Sequence, residues 1–109
     1  MNRSNLQRNH LKIKDDILGG DYELCLAFID RERSEELNAK FRDKKRPANV
    51  LAFAYDRKDG EIFLTPSIIK KGELLYMFIH GLLHLKGLEH GTIMEKEEEK
   101  YLAKWQEIS

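Results

Sequence analysis

Cysteine occurs once in these 109 residues, at Cys25, so no disulfide can form within the chain. That residue lies in an apolar run and is expected to be a small buried hydrophobe. Also missing are a secretory leader and any apolar stretch of the ~20 residues that a bilayer span needs, so a cytoplasmic location with no membrane contact is expected. Neither sign of charge is in excess, with 19 Lys and Arg against 19 Asp and Glu. A nucleic-acid binder often carries a basic total, so here the distribution of charge has to be read instead of the sum. Repeats, linkers and low-complexity tracts are absent. The length suits one domain, residues 1–109, with a single core.

What is present is a concentration of histidine. Three of the four fall in the run His80-Gly81-Leu82-Leu83-His84-Leu85-Lys86-Gly87-Leu88-Glu89-His90. Four residues are slightly more than one helical turn, so His80 and His84 project from one face, about 6 Å apart along the axis. Gly87 stands where a left-handed residue ends a helix, which lets the chain fold back and bring His90 to a third corner. The plainer reading is two ordinary helical histidines and one in a turn. Against it, metal-ligand spacing coincides with a helix stop and an apolar flank, since Leu74 to Leu85 carries no fixed charge and is expected to be buried centrally. Three ligands with an open fourth position are the catalytic arrangement, and no cysteine lies nearby to close the site.

The pattern H-x-x-x-H-x-x-G-x-x-H also belongs to metzincin proteases, which carry a glutamate base directly after the first histidine. Here that position is Gly81, so a peptidase lacks its proton acceptor. Glycine instead marks close approach of backbone or substrate. Glu89, next to His90, can orient a histidine or take a proton from an attacking water. His10 is isolated in sequence and expected to be solvated.

Charge is distributed unevenly. Lys40, Arg42, Lys44, Lys45 and Arg46 crowd one short segment against a single acid, Asp43, while Glu95 to Glu99 make the last helix acidic. The basic run reads either as a solvated loop or as a set of phosphate contacts. Asn38 and Asn49 can contact a bound ligand or satisfy loop backbone.

Periodicity predicts a helix over Asn5 to Leu18 ended by Gly19-Gly20, and a strand over Tyr22 to Ile29 closed by Asp30. A short helix capped by Ser34 should follow, running through Leu37 and Phe41. Val50 to Tyr55 and Glu61 to Thr65 read as a hairpin turning at Asp59-Gly60. Thr92 to Glu95 reads as a capping box opening a helix whose apolar stripe is Ile93, Met94, Tyr101, Leu102 and Trp105. Together these give an α+β domain in which a small mixed sheet packs against helices, with the histidine helix at the centre.

The histidine run resembles the signature of the YbeY-type endoribonucleases and rRNA maturation factors, close to H-G-x-L-H-L-x-G-(Y/F)-D-H. Every histidine and glycine matches, with Leu88 for the aromatic residue and Glu89 for aspartate. A second block agrees: Leu37-Asn38-Ala39-Lys40-Phe41-Arg42 is similar to L-N-x-x-Y-R, and Pro47-Ala48-Asn49-Val50-Leu51-Ala52-Phe53 to P-T-(D/N)-V-L-S-F. Gly60-Glu61-Ile62 resembles the family's G-D-(I/V) strand. The likeness runs from about Leu24 to the C-terminal helix. Ala48 and Ala52 depart from it, replacing hydroxyl-bearing residues, and Pro66 to Gly72 replaces a longer helical segment.

The resemblance implies a zincin-like architecture. It also implies one Zn²⁺ or other divalent ion on His80, His84 and His90, and single-strand-specific RNA cleavage in 16S rRNA 3′-end maturation and ribosome quality control. The partners it implies are 16S rRNA and the small ribosomal subunit or its proteins. Arg42 matches an arginine of functional weight in the family, and its guanidinium suits phosphate; the alternative is a surface arginine capping its helix. Two other functions are carried forward: a non-catalytic ribosome-assembly factor with a structural zinc, and a metal-dependent hydrolase of another substrate.

Overall fold

The computed structural model describes residues 1–106. Helix α1 covers Arg3–Leu18, strand β1 Glu23–Phe28, helix α2 Arg31–Arg42, strands β2 Val50–Asp56 and β3 Asp59–Leu64, helix α3 Leu74–Leu85 and helix α4 Thr92–Trp105. A single 3₁₀ turn, Pro66–Ile68, stands between β3 and α3. The sheet order is β1-β3-β2, with β1 parallel and β2 antiparallel to β3, so the sheet is mixed as expected.

Strand alternation sorts the two faces. Ile62 and Leu64 of β3, with Val50 and Ala52 of β2 and Leu24, Leu26 and Phe28 of β1, point towards α1, α3 and α4. The uncharged helix α3 fills the centre: Phe78, Ile79, Leu82 and Leu83 are fully buried. This is what an unbroken apolar helix requires. Gly81 faces the sheet, where an added Cβ would lie 3.1 Å from Ile62 Cδ1 and 3.2 Å from Val50 Cγ2. The close approach expected at this glycine is therefore made by the helix to the sheet. Helix α2 lies over the opposite sheet face through Leu37.

Several local expectations are corrected. Helix α1 begins two residues earlier than Asn5, because Asn2 caps it by accepting from the Asn5 N–H at 2.8 Å. Asp30 caps α2, accepting from the Arg33 N–H at 2.8 Å. Ser34, expected as that cap, sits one turn inside the helix and is fully buried. Its hydroxyl donates to the Ala48 carbonyl at 3.0 Å and accepts from the Ala48 N–H at 2.8 Å, pinning the loop before β2 to the helix. The hairpin turns at Arg57-Lys58, and Asp59-Gly60 is already paired in β3. Gly60 is needed there for space: a Cβ would lie 3.0 Å from the Phe53 carbonyl oxygen and run into the Tyr22 hydroxyl.

The capping box does not form, because Gly91 takes the N-cap position of α4 with no side-chain acceptor. Ile93 is 71% exposed, and the buried stripe is Met94, Glu98, Tyr101 and Trp105, at the helical spacing that Ile93 breaks. Cys25 is exposed, lying on the sheet face that α2 leaves uncovered at β1. His10 is half-buried, its ring set edge-on to that of Phe78 with centroids 6.4 Å apart. No helix among the described residues is long and apolar enough to cross a membrane.

Candidate metal centre

Helix α3 presents His80 and His84 on the flank that faces away from Phe78 and Leu82, and both are half-buried. After Lys86 the chain reverses at Gly87, whose φ of +104° is the left-handed conformation. The Leu88 N–H donates to the Leu83 carbonyl at 3.0 Å, closing the helix end. The reversal delivers His90 beside the other two. Ring centroids are 4.5 Å apart for His80 and His84, 5.2 Å for His80 and His90, and 5.1 Å for His84 and His90.

One nitrogen from each ring converges, all within 4.8 Å of one another. The Nε2 atoms of His80 and His84 are 3.0 Å apart. A tetrahedral ion with bonds of ~2.0–2.1 Å separates its ligands by ~3.3 Å, so this donor set fits one divalent ion of that size. Among the described residues no fourth histidine, cysteine or carboxylate joins the cluster.

Protonation suits the same arrangement. Burial lowers the pKa of His84, and the adjacent His80 and His90 lower it further, so its ring stays neutral and keeps a lone pair. The Nδ1 of His80 lies 2.8 Å from Oε2 of Glu98, which is buried on α4. A carboxylate at that nitrogen makes it the N–H donor and leaves Nε2 as the electron-pair donor facing the cluster.

Glu98 is the functional residue that sequence reasoning passed over, since it was absorbed into an acidic run. The signal available was its phase, four residues after Met94 and three before Tyr101 on a buried stripe. A charged residue in such a stripe needs a partner. Glu89, the carboxylate expected to orient a histidine, is exposed and makes no hydrogen bond among the described residues, so that role passes to Glu98.

Replacing Glu98 by alanine is expected to weaken metal binding about 10- to 100-fold, while Glu98→Gln, which keeps an acceptor for the Nδ1–H, loses much less. Competition with a chromophoric chelator measures both. Equal affinity in the wild type and both variants would remove Glu98 from the centre.

The histidines open onto a cleft of about 660 Å³ whose other walls are Val50, Ala52 and Phe53 of β2 and Phe41 and Arg42 at the end of α2. Arg42 is exposed at this rim and close enough for its charge to bear on His84. The basic segment continues from it, and among the described residues none of Lys40, Arg42, Lys44, Lys45 and Arg46 pairs with a carboxylate; all five are exposed. Asn38 is buried, and its amide donates to the Arg46 carbonyl at 2.7 Å, so it shapes this loop; Asn49 is exposed.

Comparison with known proteins agrees with the geometry. The family model described as Endoribonuclease YbeY matches residues 3–108. Among curated proteins, the Endoribonuclease YbeY of Lactobacillus helveticus is 34% identical over 96 residues, covering 62% of this chain and 55% of the relative. That of Rubrobacter xylanophilus is 38% identical over 80 residues, covering 70% and 58%. The chain thus spans rather more than half the length of the curated relatives it matches. A solution structure of a Thermotoga maritima protein covers 98% of this chain and 88% of its own, with a TM-score of 0.67 at 26% identity. Matching sequence blocks, a zincin-like α+β fold and a histidine cluster at the end of its central helix lead to one assignment: the chain belongs to the YbeY endoribonuclease family.

Proposed function

We propose that this chain is a metal-dependent endoribonuclease cutting single-stranded RNA, with Zn²⁺ on His80, His84 and His90. Its substrate is 16S rRNA during 3′-end maturation and ribosome quality control, which places it in the cytoplasm beside the small ribosomal subunit. The observation that carries the chemistry is three converging histidine nitrogens facing an open cleft whose opposite rim bears Arg42. The names of the relatives support RNA as substrate.

The chemistry that a bound divalent ion supplies is Lewis acidity towards water or a phosphate oxygen. The chain's own groups do the rest. His80 and His84 are held with lone pairs forward, the first by Glu98 and the second by burial. Arg42 presents a planar fork of donors to the non-bridging oxygens, where negative charge grows as phosphorus is attacked. The unpaired cations that follow hold flanking phosphates. Glu89, exposed and next to His90 in the chain, is assigned the role of proton acceptor.

A structural zinc in a non-cutting assembly factor fits less well, because among the described residues no fourth protein ligand joins the three histidines, which line an open cleft. A peptidase fits less well again, since Gly81 supplies no carboxylate and is packed against Ile62 and Val50.

Arg42→Ala is expected to slow cleavage of a labelled single-stranded RNA by about a hundredfold with metal affinity unchanged, and Arg42→Lys to recover only part of that. Rates are compared at saturating zinc. An alanine variant that cuts at the wild-type rate would return Arg42 to the role of a helix-end surface residue.

A further inference from the structure

A second hollow, of about 270 Å³, lies on the other face of the sheet, between α2 and strands β2 and β3. Its walls are unusually aromatic. Phe41 and Phe53 meet edge to face with ring centroids 5.5 Å apart, Phe53 and Phe63 with centroids 5.9 Å apart, and Tyr55 and Leu37 add to the apolar lining. Phe41 is 58% and Tyr55 63% exposed, which is costly for side chains of this size unless they serve a partner.

Two facts connect this hollow to the metal cleft. Phe41 and Phe53 line both, so the two spaces meet around the free edge of β2. Phe41 also precedes Arg42, placing an aromatic ring beside the cation assigned to the phosphate. Two charged groups line the hollow: Arg33, whose Nη1 donates to Glu36 Oε2 at 3.1 Å, and Glu61, whose Oε1 accepts from the Tyr55 hydroxyl at 2.7 Å. That bond pushes the Tyr55 pKa up to about 12, so the phenol stays neutral. Because Arg33 is paired with Glu36, the hollow offers phosphate an uncompensated carboxylate and no free cation, whereas aromatic walls accept the flat face of a base. The backbone of a bound strand therefore belongs on the Arg42 side, and what turns round the β2 edge is a base.

We propose that this aromatic hollow is a nucleobase subsite, in which a base neighbouring the phosphate at the metal cleft unstacks from its strand and packs against Tyr55, Phe41 and Phe53. The subsite rests on the RNA reading given above, and it supplies a reason for single-strand specificity. A base held in a duplex cannot leave its stack to reach the far face of the sheet without losing its pairing.

The test is binding of a fluorescent single-stranded RNA oligomer to the zinc-loaded protein, in wild type, Tyr55→Ala, Tyr55→Phe and Arg42→Ala. A parallel series of oligomers lacks one base at successive positions. Tyr55 is largely exposed, so its truncation leaves the fold intact, and thermal unfolding of each variant checks this. Tyr55→Ala is expected to weaken binding about tenfold, with Tyr55→Phe close to wild type. One abasic position should weaken wild type by the same factor and Tyr55→Ala hardly further.

Binding that falls with Arg42→Ala, stays unchanged in Tyr55→Ala and depends on no single base would overturn the subsite while leaving the RNA reading standing. Absence of RNA binding by wild type would overturn both. A Tyr55→Ala loss that is equal at every abasic position would show a general surface effect and also sink the subsite.

Discussion

Replacing His84 by alanine is expected to lower affinity for zinc by at least about two orders of magnitude, because it removes one of three converging donors and leaves a pair. The substitution is otherwise mild. His84 is half-buried near the end of α3, alanine is the best helix former, and the apolar face of the helix is untouched. Loss of metal can therefore be separated from loss of structure. A ligand at about a hundredfold excess over its Kd stabilises the native state by about 2.7 kcal/mol. For a chain of this size that is a rise in Tm of about 10 °C or more, which the wild type should show on adding zinc and His84→Ala should not. Isothermal titration and thermal unfolding with and without zinc read the two effects. A variant that binds zinc as the wild type does would place the metal elsewhere or nowhere.

The second large effect is in the core. Phe78→Ala is expected to cost about 3–5 kcal/mol, the usual range for truncating a buried phenylalanine. Phe78 has no exposed surface and sits where α3 meets α1, beside the ring of His10. Native domains are stable by only about 5–15 kcal/mol, so the loss is a large share of the total. The reason for the size lies in α3 itself. Its core face is buried among α1, the sheet and α4, so no neighbour can collapse into the space without moving a second element. Urea unfolding measures the change, and Phe78→Leu should retain most of the stability. A loss below about 1 kcal/mol for the alanine variant would mean that the helix is not the centre of the core.

The difference between what was legible in the sequence and what was not follows the range of the interactions. The histidine grouping could be read because its determinants are local: a four-residue step on one helix, then a glycine stop within three residues. The burial of α3 could be read for the same reason, since a helix without charge has one place to go. Glu98 could not be linked to His80 without knowing how α4 docks on α3, eighteen positions along the chain. The position of the α2 cap, at Asp30 and not at Ser34, could not be read from local sequence. It was decided by tertiary bonds to Ala48 that make Ser34 more useful inside the helix. The hairpin turn was displaced because Asp59 and Gly60 are used for strand pairing, and Gly60 fits a crowded spot under Tyr22 and Phe53. Cys25 followed the apolar run but fell on the face that α2 does not reach. The aromatic hollow had no signature in sequence, since Phe41, Phe53 and Phe63 meet only when α2 lies over the sheet.

The most direct test is cleavage of a 5′-labelled single-stranded RNA by wild-type protein stripped with chelator and then restored with zinc, beside His84→Ala carried through the same purification. The proposed mechanism predicts cutting that is lost on stripping, returns with zinc and is absent in His84→Ala. Cutting that survives in His84→Ala at the wild-type rate, or zinc-loaded wild-type protein that binds the RNA and leaves it whole, would contradict a metal-dependent ribonuclease and leave the histidine centre a structural one.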